Sequence, residues 1–162
     1  MTPRRPGHRL CAALRRGAAD TRGAAGVEAV ILFPVLILMG FGAVDGALLV
    51  QQTHRMEAGL GAAGAYLAQG GADAVQQRRA RRIAVTGQGR NGGTPVLPGW
   101  KPRHVSVSIR TVDNANGDYR ARGDVRVAEL SSSIPYEGFG ILSRVAGGSL
   151  SVSARHEVRL AE

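Results

Sequence analysis

One carboxylate, Glu28, sits in a run of small and aliphatic residues, five positions after Gly23. A carboxylate in apolar surroundings is costly unless a positive charge meets it. The nearest candidate is a chain-terminal amine, and scission after Gly23 would create one at Ala24. Other groups that could do chemistry are scattered. His8, His54, His104 and His156 do not pair with Cys, Asp or Glu at metal-ligand spacing. Asp113, Asp118 and Asp124 gather around a turn but lack the Gly and Glu spacing of a calcium loop. Gly87-Gln-Gly89-Arg-Asn-Gly92 has the letters of a dinucleotide fingerprint. An Arg-rich segment precedes it and Thr94-Pro95 follows, where a helix should open. Arg122-Gly123-Asp124 spells an adhesion tripeptide inside a predicted strand and is read as chance. No nucleophile elbow or phosphate loop is present, so the expectation is a non-enzyme without cofactor or metal.

The element that must position Glu28 is an apolar run. From Ala29 to Val50 only Asp45 is charged. As a helix this run is roughly 33 Å long, enough to cross a hydrocarbon core of about 30 Å. Arg4, Arg5, Arg9, Arg15, Arg16 and Arg22 precede it against Asp20 alone, while Arg55 and Glu57 nearly cancel beyond it. Basic flanks stay on the cytoplasmic side, which places the N-terminus inside and the residues after about 51 outside. Pro34 removes a backbone donor and is expected to bend the helix. Gly42 and Gly46 form a Gly-x-x-x-Gly face of the kind that lets helices approach closely in lipid. Asp45 is expected as an interfacial carboxylate in water at the outer boundary.

A basic leader, a Gly, a short small-residue run, a Glu and an apolar helix form the pattern of a class III signal, cut by a prepilin peptidase. Arg22, Gly23, Val27, Glu28, Pro34, Gly42 and Asp45 together resemble the TadE-like minor pseudopilins of Tad (tight adherence), type IV-like pili. Ala29 stands where that family usually has an aromatic residue, and Asp45 where it usually has Glu. The resemblance covers residues 22–50. It implies a processing site at Gly23, Ala24 and Glu28, and helix–helix contact at Pro34, Gly42, Asp45 and Gly46. The implied partners are the bilayer, a prepilin peptidase, other pilins or pseudopilins and the pilus platform proteins. The implied location is the bacterial cytoplasmic (inner) membrane, single-pass, with onward incorporation into an extracellular pilus left open.

The formal net charge of +9 over 162 residues would suit a nucleic-acid partner, but its position argues otherwise. Residues 1–23 hold six Arg and one Asp, leaving 15 basic against 11 acidic side chains, or +4, in the remainder. Aromatic residues are too few for base-stacking platforms. Nucleic acid is therefore not an expected partner. The lone Cys11 lies in the leader, so a chain beginning at Ala24 is Cys-free and its outer domain must hold through burial and sheet pairing.

Past the apolar run, Met56, Leu60, Ala63, Leu67 and Ala74 recur at helical spacing. Gly70-Gly71 is a predicted break, and Asp73 followed by Gln76 reads as the start of a second helix to about Val85. That helix carries Arg78, Arg79, Arg81 and Arg82, which could face solvent, lipid phosphates or an acidic partner. Trp100 is expected to plug a small core. From His104 the period becomes two. Val105, Val107, Ile109 and Thr111 share one face. After a turn over 113–118, Tyr119, Ala121, Val125 and Val127 share another. Residues 130–148 read as a long connection. The last strand places Leu150, Val152, Ala154, His156, Val158 and Leu160 opposite a polar face.

The expected fold is α+β and pilin-like: a long N-terminal transmembrane helix, extending outside, packed on a small three-stranded antiparallel sheet. The expected segments are a leader at 1–23, a membrane helix at 24–50, an outer helical stretch at 51–86, a loop at 87–103 and a β domain at 104–162. The expected role is a minor pseudopilin in pilus assembly or structure. The alternative is a permanently anchored bitopic protein with an extracytoplasmic binding domain.

Overall fold

The computed structural model describes residues 21–114 and 124–161, without side-chain detail for 21–25. The leader up to Asp20 and residues 115–123, where the sequence predicts a turn and the start of a strand with Tyr119, Ala121 and the Arg122-Gly123 pair, lie outside the described residues. The chain falls into two units, residues 1–41 and 42–162.

A single helix, α1 (Thr21–Gly70), runs from the first unit into the second, with Pro34 inside it. Every described side chain from Gly26 to Phe41 is exposed. Its most apolar 18-residue window has a mean hydropathy of 2.4 and no buried residue, so α1 is long and apolar enough to cross a membrane.

The second unit is a small α+β head, as the sequence predicts. Its part of α1 buries one stripe: Asp45, Met56, Leu60, Ala63 and Leu67 are fully covered, with Leu49 and Gln52 partly so. The steps of three and four put these residues on one helical face. Gly71, at φ 78°, reverses the chain after α1. The Asp73 carboxylate then accepts from the Gln76 backbone N–H at 2.7 Å and opens α2 (Ala74–Thr86). Gly87 closes α2 in the left-handed region, its N–H returning to the Ile83 carbonyl at 2.8 Å.

The sheet is antiparallel with order β1-β2-β3: β1 (Val105–Val112), β2 (Val125–Pro135) and β3 (Ser151–Arg159). A short helix α3 (Ile141–Val145) lies in the β2–β3 connection. Val105 pairs with Ser132, Val107 with Leu130 and Ile109 with Ala128; Leu130 pairs in turn with His156, and Ile134 with Val152. On this face Val105, Val107, Ile109, Ala128, Leu130, Ile134 and Val152 pack with Met56, Leu60, Ala63 and Leu67 in one core. The opposite face carries the ion pairs Arg110–Glu157 at 2.9 Å, exposed, and Arg155–Glu129 at 3.0 Å, with Glu129 half-buried. Such pairs contribute little to stability.

Two sequence expectations change here. Residues 130–135 are strand, not connection. Leu130, Ser132 and Ile134 alternate inward, with Ser131, Ser133 and Pro135 between them. Val125 and Val127 do not share the core face, because they pair with Val112 and Arg110 and so lie on the other side. The apolar phase shifts at Val127-Ala128, where adjacent residues are both buried. A period-two reading that follows Val125 and Val127 loses the strand at that point.

Trp100 is the largest fully buried side chain. Its indole Nε1–H donates to Ser132 Oγ at 2.9 Å, and that hydroxyl donates to the His104 carbonyl at 2.9 Å. The ring lies over Gly59 of α1. A Cβ there would come within 2.9 Å of Trp100 Cη2 and would also strike the Ala84 carbonyl. Gly59 is therefore where α1, α2 and the Trp100 ring come closest.

Candidate functional site

The sequence-predicted processing residues lie on α1. The Gly23–Ala24 peptide bond falls within the described part of that helix. Glu28 lies one turn after Ala24 and is exposed. An exposed carboxylate one turn beyond the bond can take a partner from outside the chain. Farther along, Pro34 is exposed, and a Cβ built on Gly42 or Gly46 would meet nothing within 4 Å. The Gly42–Gly46 face is open in the single chain.

Asp45 departs from its expected place. It is fully buried, not set in water. The Tyr136 hydroxyl donates to Asp45 Oδ1 at 2.5 Å and is also 2.7 Å from the Asp45 carbonyl oxygen. The Phe139 N–H reaches Oδ1 and the Leu142 N–H reaches Oδ2, both at 3.0 Å. Every partner donates, so both carboxylate oxygens are matched and the buried group is satisfied. Gly138 makes the approach possible. A Cβ at that position would collide with the Tyr136 hydroxyl and the Asp45 carboxylate. Farther up the helix, the Gln52 amide donates to the Glu137 carbonyl at 3.0 Å. Residues 136–142 are thus clamped to α1 at Asp45 and at Gln52, and Asp45 anchors the head to its own helix.

Sequence reading missed Tyr136, Gly138, Phe139 and Leu142, because their partner is about 90 positions away. One signal was available. Asp45 lies eleven residues before Met56, three helical turns along the same stripe that buries Met56, Leu60, Ala63 and Leu67.

Burial, followed by the hydrogen bond to Asp45 and the nearness of its charge, pushes the Tyr136 hydroxyl up to about 12 from 10.0. Between those values the folded head keeps a proton that the unfolded chain has lost. Stability from this group is fully present below pH 10 and is lost as pH rises toward 12. Urea midpoints taken across this alkaline range should fall more steeply for the wild type than for Tyr136→Phe.

The remaining candidates do not converge. Arg78 and Arg79 are exposed on α2, whereas Arg81 and Arg82 are half-buried, and Arg81 Nε is sequestered without a hydrogen-bond partner. His156 packs over Gly64, where a Cβ would come within 2.7 Å of its ring. Among the described residues no group of three or more His, Cys, Asp or Glu is placed to hold a metal ion.

Residues 23–64 match the family model described as TadE-like protein. The match bears out the resemblance read from residues 22–50 and extends it into the first core-facing turns of the head. Neither a curated protein nor a solved structure matches the chain.

Proposed function

We propose that this TadE-like chain is a minor pseudopilin of a Tad-type pilus, inserted in the cytoplasmic membrane with its basic leader inside and its head outside. A prepilin peptidase cuts between Gly23 and Ala24. The new amine of one chain pairs with Glu28 of a neighbouring pilin, since a lone charge in a low-dielectric bundle is disfavoured. The open Gly42–Gly46 face gives that bundle a surface for close helix contact. The head presents its sheet and loops to other pilus components and performs no catalysis.

The observation that carries this reading is the TadE-like match over residues 23–64, which begins at the glycine of the signal pattern and includes Glu28 and the exposed apolar helix. Coexpression with a prepilin peptidase should shift the membrane-recovered protein to a faster-migrating form, and Gly23→Leu should hold it at full length. If wild type keeps its full length beside an active peptidase, the permanently anchored bitopic reading replaces this one.

A further inference from the structure

Two apolar side chains of the head stand out: Phe139 at 61% exposure and Val145 at 78%, the highest among the large hydrophobic residues after Val44. Both lie in the connection between β2 and β3. Single exposed aliphatic residues are ordinary on a protein surface. The placement of these two is not. The connection is held to α1 by the Asp45 carboxylate, through the N–H groups of Phe139 and Leu142. Asp45 follows Val44 directly in the chain and lies in the outer part of the apolar run, whose exposed large residues begin at Val27 and continue to Val50. The head therefore holds its most exposed apolar residues beside the outer part of the lipid-compatible stretch.

The geometry points to residues 139–146 as a membrane-contacting loop that seats Phe139 and Val145 in the headgroup–acyl boundary of the outer leaflet. This rests on the reading that α1 spans the bilayer. The composition fits that depth. Phe139 and Val145 supply apolar surface, and exposed Arg144 lies beside them with a stem that can lie in the boundary while its charge meets lipid phosphates. Ile141 and Leu142 are half-buried, and the Leu142 N–H ties the short helix α3 to Asp45. Gly140 at φ 76° and Gly147 at φ 70° flank α3, turning the chain into and out of it. A five-residue helix is too short to hold a bilayer alone. Tethered by a spanning helix, it has no search to make, so a small buried area is enough. The clamp then has a function beyond stability, because it sets the depth and rotation at which the head rests on the membrane.

The test is site-directed spin labelling of the full chain with Cys11→Ser, reconstituted in vesicles of phosphatidylethanolamine and phosphatidylglycerol. Labels go on Val145→Cys, on Ser108→Cys at the exposed sheet face and on Leu36→Cys in the apolar run. Ala146→Cys is a second loop reporter should Val145→Cys disturb the head. Collisions with a water-soluble nickel complex should be several-fold rarer at 145 than at 108, and collisions with oxygen more frequent. If 145 matches 108 while 36 is lipid-exposed, the loop inference fails alone. A water-exposed label at 36 removes the spanning reading and the inference with it. Shielding of 145 from both reagents overturns the inference in favour of a protein partner on the loop.

Discussion

Asp45→Ala should destabilise the head by about 3–4 kcal/mol, since hydrogen bonds to a charged acceptor contribute roughly 1.5–3 kcal/mol each and some are recovered by water. The variant leaves the Tyr136 hydroxyl and the N–H groups of Phe139 and Leu142 without their acceptor. The Tyr136 side is the costlier loss, because that residue is only 9% exposed. Asp45→Asn keeps the volume and one acceptor oxygen but turns an N–H₂ toward a donor, and should cost about 1–2 kcal/mol. Removing one partner of a buried polar cluster costs more than removing both, so adding Tyr136→Phe to Asp45→Ala should cost less than the sum of the two single changes. Urea unfolding of the detergent-solubilised chain, followed by tryptophan fluorescence, reads all of these. An Asp45→Ala midpoint equal to wild type would mean that the clamp carries no stability.

Trp100→Ala should be at least as severe, at about 3–5 kcal/mol for a fully buried aromatic side chain. The indole joins three parts of the head. It covers Gly59 of α1, lies close to α2 near Ala84, and hydrogen-bonds Ser132 of β2. Its loss opens a cavity and takes the donor from a buried hydroxyl. Neighbours cannot refill that space easily, because Gly59 contributes no side chain and Ala84 a small one. Trp100→Phe keeps part of the ring volume but not the N–H, and should fall about halfway between. Domains of this size are stable by about 5–15 kcal/mol, so Trp100→Ala should leave the head at the margin of folding at 37 °C. Circular dichroism melting, which does not depend on the removed fluorophore, measures this. A melting temperature unchanged from wild type would show that the indole does not organise the core.

The parts of the fold that the sequence makes legible are those with an unbroken period. Met56, Leu60, Ala63 and Leu67 keep helical spacing, and Val152 to Leu160 keep strict alternation, so the core faces of α1 and β3 are read from residue types alone. The strand β2 is harder because its buried side changes between Val127 and Ala128. Alternation identifies a face only while one side is covered, and β2 is covered on both sides near its start. The candidate site divides in the same way. Gly23 and Glu28 are close in sequence, so the processing proposed for them is read from the chain itself together with the family resemblance. The partners of Asp45 come from a loop that a tertiary contact alone brings to it. An acid at the end of an apolar helix reads as solvated until the loop that buries it is seen.

The burial of Asp45 also bears on the departure noted in the sequence, where Asp replaces the more usual Glu. The shorter carboxylate is reached by backbone N–H groups, which requires the loop to come close to the helix, and Gly138 permits that approach. Asp45, Tyr136 and Gly138 act as one unit in this chain.

The measurement closest to the central claim is the first residue of the mature protein, read by N-terminal sequencing or intact mass from cells that assemble the pilus. The account predicts a chain beginning at Ala24. A chain in those cells that still carries Arg22 and the residues before it would contradict it.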